Sequence, residues 1–266
     1  MQDILKNYNI SQFSTISFQH LNIFDTRSRQ RLPENSKTAI AFVFPYFNKN
    51  AFIGNVSAYC AVPDYHIVAM KQLKSICEEL KTKYPEYSFE PFVDASPIDE
   101  VDMAAKAGLG VVGENSLLIT EKWGSFVFIG EIITDMEMET VLYEKKSCMK
   151  CGLCKKHCPG GAINAGVVDT EKCASHISQK KRDITAEQFE ILKRANTVFG
   201  CDICQKVCPH NKNIDQSENL FSGDIVNTVT EQMLKDTSYK QRAFGFRGMK
   251  VLERNLEIYN AQNIKK

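Results

Sequence analysis

The 266-residue sequence has almost no charge imbalance: 33 Lys and Arg face 32 Asp and Glu, a formal net charge of +1. That balance excludes a strongly basic polyanion binder and an acidic disordered tail. No run of eighteen or more apolar residues occurs, so nothing reads as a membrane span. Met1-Gln2-Asp3-Ile4-Leu5-Lys6 lacks the charged start and apolar stretch of a signal peptide. A cytoplasmic location, where thiols stay reduced, is the expectation. Internal repeats and low-complexity segments are missing too. What is present, 43% hydrophobic residues, suffices for a real core, as one large domain plus a smaller one.

Ten cysteines in such a chain point to metal, not to disulfides. Cys60 and Cys77 stand apart and read as small buried hydrophobes, while the other eight crowd between residues 148 and 208. Cys148, Cys151, Cys154 and Cys158-Pro159 have the ferredoxin spacing, in which the fourth cysteine serves the other cluster. Soft thiolates at this spacing let one loop wrap three corners of a cubane. Cys201, Cys204 and Cys208-Pro209 repeat the motif without its first ligand. Ligand counting then assigns Cys148, Cys151, Cys154 and Cys208 to one 4Fe–4S cluster. Cys201, Cys204 and Cys158 hold the second, with Cys173 filling the vacancy. Zinc is the competing reading, but its ligands usually come as paired couples with no Cys-Pro crossover. Two clusters so close in sequence make a short electron wire, and a wire needs something at its far end.

The upstream region reads as mixed helix and strand. Lys37 to Tyr46 is a continuous apolar run, a buried strand. From His66 to Tyr84, Ile67, Met70, Leu73, Ile76 and Leu80 recur at helical spacing. Ser88 to Val93 forms a short strand, and Ser96 is expected to cap a helix that opens with Pro97 and ends at Gly108. Gly108 to Gly113 reads as a turn, with strands at Ser116–Thr120 and Ser125–Ile133. Asp94 sits at a strand-to-helix junction, a place where sites are built. The residues alone still favour an ordinary loop aspartate there. Likewise Tyr65-His66, at a helix start, reads first as capping or packing.

Five ordered segments carry a resemblance. They are Asp64-Tyr65-His66, Val93-Asp94-Ala95-Ser96-Pro97, Ala107 to Asn115, Gly124 to Asp135, and Phe199-Gly200-Cys201 to Pro209. Together they span roughly residues 36–215, with a weaker echo from Phe246-Arg247-Gly248 to Arg254-Asn255. The chain resembles the epoxyqueuosine reductase family, cobalamin-dependent iron–sulfur enzymes related to reductive dehalogenases. The resemblance implies two 4Fe–4S clusters and a cobalamin lying between the α/β domain and the ferredoxin insert. The implied reaction reduces epoxyqueuosine to queuosine in tRNA, with Asp94 as the acid that protonates the epoxide oxygen. Tyr65, His66, Asp94, Gly113 and Asn115 match positions near the corrinoid.

The sequence also departs from the family. It reads as a short variant, with only about fifty residues after the cysteines, too few for the helical-repeat domain that many members carry. Ala61-Val62-Pro63 and Glu114 stand where the family more often has basic residues or glycine. Lost positive charge weakens phosphate contact, although Lys180-Lys181-Arg182, Arg242, Arg247, Lys250 and Arg254 remain as candidates for a backbone. Two other readings therefore stay open: corrinoid-dependent reduction of a small molecule, and a non-catalytic two-cluster electron carrier. The expected fold class is α+β, with a central-sheet corrinoid-binding domain over 1–145 and a double-cluster ferredoxin-like domain over 146–215. A C-terminal helical segment, 216–266, packs on the body through Met249, Leu252, Leu256 and Tyr259. A monomer fed by a donor such as flavodoxin or ferredoxin completes the expectation.

Overall fold

A computed structural model describes residues 2–8, 10, 12–217, 221 and 223–263. Residues 218–220, 222 and 264–266 of the expected C-terminal segment lie outside the described residues. The chain forms two compact units, neither contiguous in sequence. One comprises Met1–Pro45, Tyr65–Gly113 and Leu117–Cys148; the other comprises Tyr46–Asp64, Glu114–Ser116 and Met149–Lys266. Two short upstream segments join the cysteine-bearing unit, and so does the C-terminal segment.

The first unit is built on a four-stranded antiparallel sheet. Its strands β1 (Gln12–Ser17), β2 (Thr38–Pro45), β3 (Phe89–Val93) and β6 (Val127–Thr134) run in the order β1-β2-β6-β3. Two short strands, β4 (Val111–Val112) and β5 (Leu118–Ile119), pair separately, so the expected glycine turn contains a strand of its own. Central strand β2 is buried along its whole length, which explains its unbroken apolar run. Edge strand β1, Gln-Phe-Ser-Thr-Ile-Ser, is half-exposed and polar, and its composition gave no strand signal.

Helices cover both sheet faces. Ala39, Ala41 and Val43 of β2 and Ile129 and Ile133 of β6 pack with Met103, Ala104 and Ala105 of the helix Glu100–Lys106. Each such buried aliphatic side chain stabilises by about 1.5–3 kcal/mol relative to exposure. The helix Tyr65–Lys83 lies on the opposite face with Leu73, Ile76 and Leu80 buried. Gly130 makes that packing possible, because a Cβ there would sit 2.9 Å from Leu73 Cδ1. The helix after β3 starts later than expected. Asp99 caps it by accepting from the Asp102 amide, while Ser96 accepts from Ile98 in the preceding turn. Asp99 is extended and carries the cap, whereas Pro97, set beside Ser96, brings no N–H to be capped. Gly108, at φ +80°, ends the helix in the left-handed region as glycine does best.

The second unit relies on short elements clasped by buried polar side chains. Asn55 donates to the Val229 carbonyl and accepts from the Val229 amide. Buried Asp202 accepts from the Ser57 hydroxyl and from the Ala58 amide. Asn255, on the helix Met249–Asn263, donates to the carbonyls of Ser178 and Val198 at 2.7 and 2.8 Å. That helix packs Ile258 against Ile177, Ile191 and Leu192. Its apolar stripe is displaced from the expected one: Val251, Leu252, Leu256 and Ile258 are buried, while Met249 is exposed and Tyr259 is half-buried.

Candidate functional site

In the first unit β3 delivers Asp94. Its backbone lies at φ +61°, the left-handed region, which a non-glycine residue occupies at some cost. The turn is closed by the Ser96 amide donating to the Asp94 carbonyl at 2.6 Å. That conformation turns an exposed carboxylate toward the start of the helix Tyr65–Lys83, where His66 Nε2 lies 3.2 Å from Asp94 Oδ2. Tyr65, one residue earlier, stacks on Phe128 of β6 with ring centroids 4.3 Å apart and planes 11° from parallel. Three sequence-predicted residues, Tyr65, His66 and Asp94, are thus brought together. Phe128 joins them, and nothing in its apolar strand had marked it out. Gly113 belongs to the same unit, in the turn where its amide meets the Leu117 carbonyl at 2.9 Å.

The sheet also holds a group that sequence reasoning passed over. Glu131 is completely buried in the middle of β6, opposite Phe92 of β3 and Ala41 of β2. It shares a face with Ile129 and Ile133, the one covered by the helix Glu100–Lys106. Neither carboxyl oxygen makes a hydrogen bond of good geometry, and the Ser96 hydroxyl is the one neighbour favouring its charge. Burial pushes its pKa up to about 8. Glu100 is raised as well, by burial first and then by the negative charges of Glu131, Asp94 and Asp99. The signal was available: Glu131 is an acid at an inward position within an apolar strand.

The second unit gathers the thiols. Cys201 is influenced by Cys173 and Cys158, and Cys204 by Cys201 and Cys173, so these four side chains form one electrostatic neighbourhood. Burial pushes the Cys201 and Cys204 thiols up to about 12, so a metal must displace their protons on binding. Asn115, 8% exposed, hydrogen-bonds to the Cys204 thiol, a contact the sequence did not indicate. Elsewhere in the unit the Met149 amide lies 3.5 Å from His210 Nε2, so the segments that carry Cys151 and Cys208 meet. Among the described residues no three His, Cys, Asp or Glu side chains converge on a single ion. A cubane, being larger than an ion, spaces its ligands more widely, and the all-thiol donor set fits it. Cys60 and Cys77 are both buried; the Cys60 thiol donates to the Ser57 carbonyl and lies within electrostatic reach of Asp202.

Comparison with known proteins agrees with this arrangement. The family model described as a 4Fe-4S double cluster binding domain matches residues 147–211. The model described as epoxyqueuosine reductase QueG, DUF1730 matches residues 27–95. An epoxyqueuosine reductase of Cyclobacterium marinum is 34% identical over 82% of this chain and 74% of its own length. The chain belongs to the epoxyqueuosine reductase family. The Escherichia coli epoxyqueuosine reductase is 36% identical, over 62% of this chain and 43% of the relative, so the match spans less than half of that protein. Among solved structures, the epoxyqueuosine reductase of Streptococcus thermophilus superposes with a TM-score of 0.83 at 24% identity, covering 98% of this chain and 80% of that one. A reductive dehalogenase described as B12-dependent shares the fold more loosely, with a TM-score of 0.54 at 14% identity, covering 96% of this chain and 34% of that one. Family membership makes the chain an oxidoreductase of α+β fold with a double-cluster domain.

Proposed function

We propose that the chain reduces epoxyqueuosine to queuosine in tRNA, using cobalamin and two 4Fe–4S clusters. The observation that carries this reading is the Asp94–His66 pair at the end of β3 in a chain with the family's double-cluster motif. Support for the substrate comes from a solved epoxyqueuosine reductase bound to an epoxyqueuosine-modified tRNA stem loop, which has a TM-score of 0.82 to this chain at 22% identity.

The residues present fit both cofactors. Cys148, Cys151, Cys154 and Cys208 would hold one cluster, and Cys158, Cys173, Cys201 and Cys204 the other. Tyr65, stacked on Phe128, offers a flat aromatic surface suited to a macrocycle, with His66, Asp94 and Gly113 of the same unit as further candidates to hold it. Bound cobalamin would supply a strongly reducing nucleophile, and the clusters would supply its electrons. The protein's own part is proton delivery. Asp94 and His66 share one hydrogen bond, so the pair can carry a proton and place it on the departing epoxide oxygen. Without that proton an alkoxide must leave, and alkoxides leave poorly. The reaction belongs in the cytoplasm, with a flavodoxin- or ferredoxin-type donor and a monomeric enzyme.

A specific observation favours reduction of a small molecule as a second reading. Several basic side chains offered for a nucleic-acid backbone are already committed: Lys180 to Glu171, Arg242 to Asp224, and Arg254 to the Lys180 and Arg182 carbonyls. The test is anaerobic turnover of an epoxyqueuosine-modified stem loop beside the free epoxyqueuosine nucleoside. Conversion of the stem loop supports the first reading, and conversion of the nucleoside alone supports the second.

A further inference from the structure

The electrons that the proposed reaction consumes must enter the chain from outside, so one cluster needs an approachable edge. This inference rests on the ligand assignment and the external donor proposed above. Of the eight candidate cluster ligands, all among the described residues, Cys151 alone is exposed and the other seven are half-buried. Gly152, beside it at φ +73°, has open space where a Cβ would stand, with nothing within 4 Å. Met149, on the other side of Cys151, is 58% exposed. The loop therefore presents a ligand edge and an apolar spot to solvent.

The charge around that edge has one sign. Met149 to Val168 contains no Asp or Glu, yet it carries Lys150, Lys155, Lys156 and His157, all exposed. The segment Ile203 to Ile214 meets it where the Met149 amide reaches His210 Nε2. That segment is also free of acids and adds the exposed Lys206 and Lys212. Helix Leu153–His157 packs on helix Ile203–Lys206 and on strand Ile163–Asn164, so its main neighbours are acid-free too. Lys155 bonds to the neutral Asn164 side chain at 3.2 Å, and Lys206 lies over the Phe52 ring. Among the described residues, Lys150 and Lys156 have no carboxylate partner. In a chain of net charge +1, such an acid-free stretch is a local excess. Exposed charge of one sign steers an oppositely charged partner toward the surface that bears it.

We propose that the face formed by Met149, Lys150, Cys151, Lys155 and Lys156 docks an acidic electron-carrier protein and is where electrons enter the chain. Each encounter oxidises the carrier by one electron and reduces the cluster that Cys151 ligates by one; no bond forms or breaks. Two encounters supply the pair that reduction of the epoxide consumes. A nucleic-acid backbone would be drawn by the same lysines, but it has no electron to deliver and no use for an exposed ligand. A small charged face also suits a carrier that must leave after each delivery.

Anaerobic stopped-flow on the full reconstituted chain, without substrate, tests the face directly. The probe is a photoreduced flavodoxin of net negative charge, with photoreduced deazaflavin as a small reductant that needs no docking. Lys150→Glu, Lys155→Glu and Lys156→Glu combined should lower the second-order rate of cluster reduction by flavodoxin about tenfold to a hundredfold, within the range of electrostatic steering. Added salt should slow the wild type steeply and the variant hardly at all. Reduction by deazaflavin, and an iron content of about eight, should stay as in the wild type. The same reversal at Lys71, Lys74 and Lys81, exposed on the helix Tyr65–Lys83, should cost far less. A variant that flavodoxin reduces at the wild-type rate overturns the proposal, and so does an equal loss from the control reversal. Weaker binding of the modified stem loop with donor kinetics unchanged would assign the face to nucleic acid and overturn it too. Should the reversed variant lose iron, Lys150→Gln, Lys155→Gln and Lys156→Gln combined must show a smaller loss of the same salt-dependent kind, and a wild-type rate there overturns it equally. Clusters reduced through this face while epoxyqueuosine stays untouched would refute the reading of function and uphold the docking.

Discussion

The sheet unit and the cysteine unit solve opposite problems. The first buries long strands in register around an apolar core and hides Glu131 inside it. The second has short helices and holds them with Asn55, Asp202 and Asn255, which grip backbone groups across long sequence separations. Burial is used in the first to keep a proton on a carboxyl. In the second it surrounds thiols that must lose theirs to iron. A single chain thus prepares one environment for protons and another for electrons.

The sharpest way to break the comparison is Asp94→Asn. It should cut turnover about a hundred- to ten-thousand-fold, while the visible cluster spectrum stays as in the wild type. A spectrum that collapses along with activity would show that the two chemistries are not separable. Next in size is Cys173→Ser, which should lower bound iron from about eight to about four, measured by iron assay after anaerobic reconstitution. Full iron retention would remove Cys173 from the ligand set.

These two residues show what sequence can and cannot reveal. Cluster cysteines are legible because most ligands of a cubane come from one loop, at spacings of three. Cys173, outside both motifs, was reached only by counting, and it lies within electrostatic reach of Cys201 and Cys204. The acids of the sheet unit are not legible in that way. Asp94, His66, Glu100 and Glu131 share no spacing, and only the β3–β6 register and the helix starts bring them near one another. The central strands and the helix Tyr65–Lys83 were clear from apolar pattern. Edge strand β1 was hidden by its polar, half-exposed residues, and the Asp99 cap by the competing Ser-Pro signal.

Smaller effects sharpen the comparison further. Asn255→Ala strands two buried carbonyls and should cost about 2–5 kcal/mol. Hydrogen exchange should show the loss in helices Ala186–Ala195 and Met249–Asn263 while β2 and β6 stay protected. Uniform loss would mean the units unfold as one. The gentlest test is the pH dependence of stability. Glu131 keeps its proton in the fold up to about 8, whereas the unfolded chain releases it near the ordinary glutamate value, about 4.3. The native state therefore binds the extra proton between those values, and stability falls as pH rises through that window, by roughly 1 kcal/mol per pH unit for one proton. Glu131→Gln should flatten that slope in denaturant titrations.

The most direct test of the whole account is one anaerobic experiment. The full chain, reconstituted with iron, sulfide and cobalamin, is reduced and given an epoxyqueuosine-modified tRNA stem loop. Queuosine formed at many turnovers, with corrinoid and about eight irons co-eluting with the protein, is the predicted result. Clusters that assemble without retained corrinoid, and a stem loop returned unchanged, would contradict it.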